Sequence, residues 1–241
     1  MLAFRSLLFN LVFYINLVVF LVLGFWFMFT PRSWSMWALK QWAKASLWWL
    51  KVIAGTQMEV RGREHIPQGG ALLAGKHQSF WDIFALLPLF DDPALVLKKE
   101  LTWIPLFGWF CLKFRMIAVD RAAGTSALKK MTADARQAVA QRRQVMIFPE
   151  GTRSAPGAKP DYKPGAAALY MQMDVPCTPF ALNSGVFWPR RKFIRKPGTI
   201  IVEFLPAIEP GLNRKVFTAR LQDEIETATG KLLREAGHDP T

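Results

Sequence analysis

Residues 71–90 read ALLAGKHQSFWDIFALLPLF. The first four, Ala71–Ala74, are a short apolar run of strand length. Gly75-Lys76-His77 then break the run. From Phe80 to Leu89 the residues are again mostly apolar, now at helical length. Strand, polar turn and helix in that order form the repeating unit of α/β folds.

The same texture extends on both sides. Further strand-like runs are Met58–Val60, Ala94–Leu97, Met116–Val119, Val145–Phe148, Thr178–Leu182 and Thr199–Leu205. Helical stretches fall at Ser126–Arg142, Gly165–Met173 and Asn213–Glu235, and Ser154–Gly165 is a Pro/Gly-rich loop. This alternation predicts an α/β fold, a mostly parallel sheet flanked by helices, over residues 55–241.

Residues 1–54 are of another kind. Ser6 to Phe29 carry no charge, a run long enough to cross a bilayer. Pro31 ends it. Residues 32–54 read as a second helix with Lys40, Lys44 and Lys51 on one face, and tryptophans and leucines elsewhere. Six of the ten tryptophans fall between Trp26 and Trp49, and Trp favours membrane interfaces. An amphipathic helix packed on the globular part gives the same pattern. Arg5 precedes the apolar run, and Arg32, Lys40, Lys44 and Lys51 follow it. That bias puts the main domain on the cytoplasmic face of the cell membrane, anchored by residues 1–54. The formal charge of +13 calls for an anionic partner. Aromatic residues are thin in the basic run Arg190–Lys196, so nucleic acid is not favoured; lipid headgroups, an acidic carrier protein and coenzyme A phosphates remain.

Three polar clusters each follow a strand-like run: Gly75-Lys76-His77, Asp120-Arg121, and Pro149 to Ser154. In open α/β sheets ligands bind beyond the carboxyl ends of the strands. His77 is the one histidine of three so placed. Asp82 lies five residues on. Within a helix that spacing puts two residues on different faces, so a meeting requires His77 to stand on the turn before the helix. Asp82 also has the spacing of a capping box with Ser79, and both readings are open. A carboxylate on one ring nitrogen would fix the tautomer and free the other to take a proton. Lys76, Arg121 and Arg153 would gather positive charge on the same rim, where Arg suits phosphate. Glu150 is a candidate ion-pair partner for Arg153. The chain has no G-x-S-x-G to supply a nucleophilic serine, and no metal-binding or P-loop signature.

The stretches His77-x-x-x-x-Asp82, Val119-Asp120-Arg121, Phe148-Pro149-Glu150-Gly151-Thr152-Arg153-Ser154 and Val175-Pro176-x-x-Pro179 resemble the four ordered motifs of the 1-acyl-glycerol-3-phosphate acyltransferase family. The resemblance spans residues 56–210, and the two amino-terminal helices are similar to those of bacterial members. His-x-x-x-x-Asp alone is a weak signal; in register with Phe148–Ser154 it is strong. Members often carry Asn before the histidine, where this chain has Lys76. The resemblance implies that His77 is the general base and Asp82 orients it. It implies that Arg121 and Arg153 bind the acceptor's phosphate, that Glu150, Gly151 and Thr152 shape the acceptor pocket, and that Pro176 and Pro179 wall the donor or acyl chain. It implies an acyl-CoA or acyl-carrier-protein donor, lysophosphatidic acid as acceptor, phosphatidic acid as product, and no cofactor or metal. The same chemistry on glycerol 3-phosphate or a lyso-amino-lipid, a thioesterase, and a non-catalytic membrane-surface protein are the alternatives.

Overall fold

A computed structural model describes residues 1–238. Seven strands form one sheet: β1 (Thr56–Arg61), β2 (Ala71–Gly75), β3 (Pro93–Lys98), β4 (Ile117–Val119), β5 (Gln144–Ile147), β6 (Cys177–Leu182) and β7 (Gly198–Phe204). Their order across the sheet is β1-β7-β6-β2-β5-β3-β4. β2 to β6 run parallel, β7 is antiparallel to β6, and β1 runs with β7. The chain is thus α/β with a mostly parallel sheet, as its apolar runs predict, and each strand lies within two residues of its expected bounds.

The pleat sorts the core into two layers. Leu73 and Met146 point to one face; Leu72, Ala74, Val145 and Ile147 point to the other. The second face is covered by α5 (Gly124–Ala140), α6 (Gly165–Met173) and α8 (Arg214–Glu235). The first is covered by the amino-terminal helices α1 (Leu2–Leu23) and α2 (Arg32–Trp49), with α3 (Trp81–Ala85). The helix expected over Phe80–Leu89 is shorter because Pro88 disfavours helical backbone before it and offers no N–H; a 3-10 turn, Leu87–Leu89, finishes the segment. Two helices, α4 (Phe107–Lys113) and α7 (Ser184–Phe187), have no sequence signal. At seven and four residues they are too short to show a helical period.

Residues 1–54 share the core of the sheet. Phe9 and Phe13 of α1 are buried, and the Phe13 ring centroid lies 5.5 Å from those of Phe84 and Trp188. Burying such a ring contributes about 1.5–3 kcal/mol. The amides of Asn10 and Asn16 find partners in the Phe193 carbonyl and the Ser46 hydroxyl of α2. Lys40 turns to the Asp91 carbonyl at 2.7 Å, whereas Lys44 and Lys51 have exposed side chains.

Asp92 fastens α2 to the sheet. Its two oxygens take both Arg32 terminal nitrogens at 2.5 Å, and the buried Arg143 lies 3.2 Å away. Burial alone would raise this carboxyl; the two guanidiniums outweigh it and hold it below its ordinary value. A depressed carboxyl contributes stability that is full above the unfolded pKa and is lost as the pH falls through the lower folded value. Asp92→Asn should therefore cost about 1–3 kcal/mol at neutral pH. The gap to the parent should narrow below about pH 4. Thermal unfolding in detergent at both pH values checks this, and an equal gap at both would contradict it.

Candidate active site

β2 ends at Gly75, where the next strand leaves no room for a side chain. A Cβ on Gly75 would lie 2.3 Å from the Phe180 ring of β6. The chain then turns through Lys76–Ser79 into α3. Ser79 caps that helix, its Oγ accepting from the Trp81 N–H at 3.2 Å. Asp82 reaches back, and its Oδ2 accepts from the Ser79 and Gln78 N–H groups, both at 2.8 Å.

The same oxygen meets His77 Nδ1 at 2.9 Å. The two open readings of Asp82 are thus one arrangement: the carboxylate that completes the cap also holds the imidazole. Asp82 is fully buried, so its charge faces three donors rather than water. A carboxylate accepts, so Nδ1 carries the proton and Nε2 keeps its lone pair, with no protein partner among the described residues. Phe148 fixes the ring from the side, stacked at 4.1 Å between centroids and 19° between planes. Gln78, also buried, takes the Gly185 N–H at 3.0 Å and pins the turn to α7.

The loop after β5 closes over this turn. The Ser154 N–H donates to the His77 carbonyl at 2.9 Å, and Ser154 Oγ to Glu150 Oε2 at 2.8 Å. β2 and β5 are parallel neighbours, so their ends meet directly. β4 is not adjacent to them; β3 lies between. Arg121 nevertheless crosses the gap: a Cβ on Gly151 would sit 3.1 Å from its guanidinium. Gly151 has φ +65°, which a Cβ would strain. Asp120 caps the turn that carries Arg121, accepting from the Ala122 N–H and from Lys99. The Lys99 ammonium above all, with help from the backbone donors, lowers its pKa, while burial opposes. Arg153 is half-buried. Burial, then the like charges of Arg190 and Arg191, lower its pKa, while the Asp82 carboxylate opposes. Thr152 is exposed beside it.

Three expected site residues sit elsewhere. Lys76 is 2% exposed, and its ammonium binds Glu150 Oε1 at 2.9 Å and Glu226 of α8 at 2.8 Å. It is therefore an internal counterion and offers no free charge on the rim. Glu150 pairs with Lys76, not with Arg153. Pro176 precedes β6, where its carbonyl accepts from the Leu72 N–H at 3.3 Å. That is the amino end of the strands, about 13 Å of strand away from the level of Gly75 and Phe180. Pro179 is buried opposite Ala74, and the alternation of β6 turns it to the α6–α8 face, away from Phe180 and Phe148. Neither proline lines the surroundings of His77. Two residues had no local signal, Glu226 and Tyr162. They join Lys76 in a buried network, the Tyr162 hydroxyl donating to Glu226 at 3.0 Å. Burial, then Glu226, push the Tyr162 hydroxyl far above its ordinary pKa. No cluster of His, Cys, Asp or Glu that would hold a metal ion exists among the described residues.

The acyltransferase family profile matches residues 57–183, from β1 through β6. The chain belongs to the acyltransferase family. It is an enzyme of that class, and all the strand-end clusters around His77 lie inside the matched region. It is 34% identical over 208 residues to 1-acyl-sn-glycerol-3-phosphate acyltransferase of Pseudomonas aeruginosa, covering 86% of this chain and 81% of that one. It is 29% identical over 194 residues to 1-acyl-sn-glycerol-3-phosphate acyltransferase alpha of Mus musculus, covering 78% and 68%. The crystal structure of the 1-acyl-sn-glycerophosphate acyltransferase of Thermotoga maritima superimposes with a TM-score of 0.82 at 22% identity, covering 96% of this chain and 98% of that one. That last likeness establishes the fold, including the amino-terminal helices.

Within this acyltransferase, removing Lys76 would leave Glu150 buried without a counterion. Lys76→Met should cost about 3–5 kcal/mol. Adding Glu150→Gln should recover part of the loss, because the uncompensated charge goes. Thermal unfolding of both variants checks this, and a double variant less stable than the single one contradicts it.

Proposed function

We propose that this acyltransferase moves a fatty acyl group from an acyl thioester, acyl-CoA or acyl-carrier protein, to the 2-hydroxyl of 1-acyl-glycerol 3-phosphate, giving phosphatidic acid. The observation that carries the reading is the His77 Nδ1–Asp82 Oδ2 contact, which leaves Nε2 open to act as a base. Nε2 takes the proton of the acceptor hydroxyl as its oxygen bonds to the thioester carbonyl carbon. The carbon–sulfur bond then breaks, and the thiolate leaves with the proton held by His77. Asp82 keeps the tautomer and balances the imidazolium. Arg121 and Arg153 bind the acceptor phosphate, for which two guanidiniums without carboxylate partners are suited. Gly151 and Thr152 give the loop its shape between them.

Ser79 and the two cysteines are poorly suited to form an acyl-enzyme. Ser79 is buried with its hydroxyl engaged in the helix cap. Burial pushes the Cys111 thiol up to about 12 and Cys177 higher still, so neither is a thiolate at neutral pH.

Residues 1–54 would anchor the enzyme, on the cytoplasmic face of the cell membrane. The uncharged helix fits a bilayer lying against its side better than one crossed end to end. Along its length α1 touches the domain, at Phe9 and Phe13 near one end and at Phe20 against Phe110 farther on. Its other side exposes Leu7, Leu11, Tyr14, Val18 and Val22. Exposed Trp109 and Leu112 of α4 extend that apolar surface, Trp109 packing on Phe25. Helices of this type sit with one face in the headgroup and acyl boundary.

Two measurements test the reading. Purified enzyme should acylate lysophosphatidic acid in preference to glycerol 3-phosphate or lyso-amino-lipids, releasing little free fatty acid. Turnover of another lysolipid alone would overturn the acceptor, and free acid as main product would mean a hydrolase. His77→Ala should lower turnover by about 10²-fold or more while leaving the fold intact. Retained turnover would remove the base role.

A further inference from the structure

Cations crowd the segment between α7 and β7. Arg190, Arg191, Lys192, Arg195 and Lys196 follow one another there, and Arg153 lies beside them. None of the six forms a salt bridge among the described residues.

The loop is built around one of them. Arg195 is 7% exposed. Its Nη1 donates to the carbonyls of Lys192 at 2.6 Å, Phe193 at 3.2 Å and Ile194 at 3.3 Å, and its guanidinium lies 4.4 Å over the Trp188 ring. With the interior so occupied, Arg190, Arg191, Lys192, Phe193 and Lys196 point outward. One side of the loop is tied to α1: the Arg195 N–H donates to Ser6 Oγ at 2.9 Å and Asn10 Nδ2 to the Phe193 carbonyl at 3.1 Å. The other side is tied to the active site, where Arg190 Nη1 donates to the Arg153 carbonyl at 2.8 Å. A rigid row of cations, with one exposed aromatic ring, thus borders the apolar face of α1 at one end and the Arg153 loop at the other.

We propose that the loop 189–197 is a phosphate-binding ledge for anionic lipids of the bilayer, set where α1 meets the membrane and leading to Arg153. This rests on the reading of α1 as lipid-facing. Apolar residues bordered by cations match the change from acyl chains to phosphates at a bilayer surface. An acidic protein partner would need the cations but not Phe193 or the seam with α1.

The test is the full-length variant Arg191→Asn, Lys192→Gln, Lys196→Gln. Asn suits position 191, where φ is +57°. Arg190 and Arg195 stay, since they hold the Arg153 loop and the ledge itself. Cations near an anionic surface each add to the attraction, so losing three should weaken binding to vesicles of equal phosphatidylglycerol and phosphatidylcholine about ten-fold or more. Binding to pure phosphatidylcholine vesicles should not change, nor should kcat/KM on a short-chain, water-soluble lysophosphatidic acid. Undiminished binding to the anionic vesicles would overturn the ledge. So would an equal loss on the short-chain acceptor, which would place the loop's role in the active site. A raised KM for acyl-carrier protein with vesicle binding intact would instead assign the surface to the carrier. Vesicle binding needs no turnover, so it decides the ledge even if lysophosphatidic acid proves inert.

Discussion

Asp82 Oδ2 accepts three hydrogen bonds, from the backbone of Gln78 and Ser79 and from the His77 ring. Two of these begin a helix, and the third orients the His77 imidazole. Because one atom does both, the orientation of the imidazole is set by the same geometry that lets the chain leave β2 and enter α3. Turning the ring away costs this carboxylate one of its three donors, and opening the cap costs it the other two. Desolvation makes that coupling strong: an unpaired polar group in this interior costs a few kcal/mol.

Around that point the ends of separate strands are held by different forces. The β5 loop is tied by hydrogen bonds through Ser154 and by the Lys76–Glu150 pair, and Arg121 reaches across from β4 by its length. The pair also recruits Glu226 and Tyr162, so α8, on the far side of the sheet, helps hold the loop that carries Arg153. Positive charge next to the sheet is thereby divided. Lys76 is consumed internally, while Arg121 and Arg153 form no salt bridge among the described residues.

Much of this was legible in the sequence, for physical reasons. Buried parallel strands must be apolar on both faces, so central runs such as Ala71–Ala74 and Val145–Phe148 stand out in the sequence. The five-residue spacing of His77 and Asp82 placed the histidine on the turn ahead of the helix. The role of Lys76 was not legible, because Glu226 lies 150 residues away and only folding brings it near. Pro176 and Pro179 were assigned by motif order, but the register of β6 against β2 sends one to the wrong end of the sheet and the other to the wrong face. The amphipathic reading of residues 32–54 foresaw the lysines but not their division, with Lys40 turned to Asp91 and Lys44 and Lys51 outward.

His77 can serve as the proposed base only if Nδ1, and not Nε2, carries the proton of the neutral ring. The chain has three histidines, so the ring nitrogens of labelled enzyme can be assigned one by one. Nitrogen-15 shifts of the neutral His77 ring should show a protonated Nδ1 and a bare Nε2, and Asp82→Asn should disturb that pattern. A neutral ring protonated at Nε2 in the parent enzyme would contradict the claim that Asp82 holds His77 as a base.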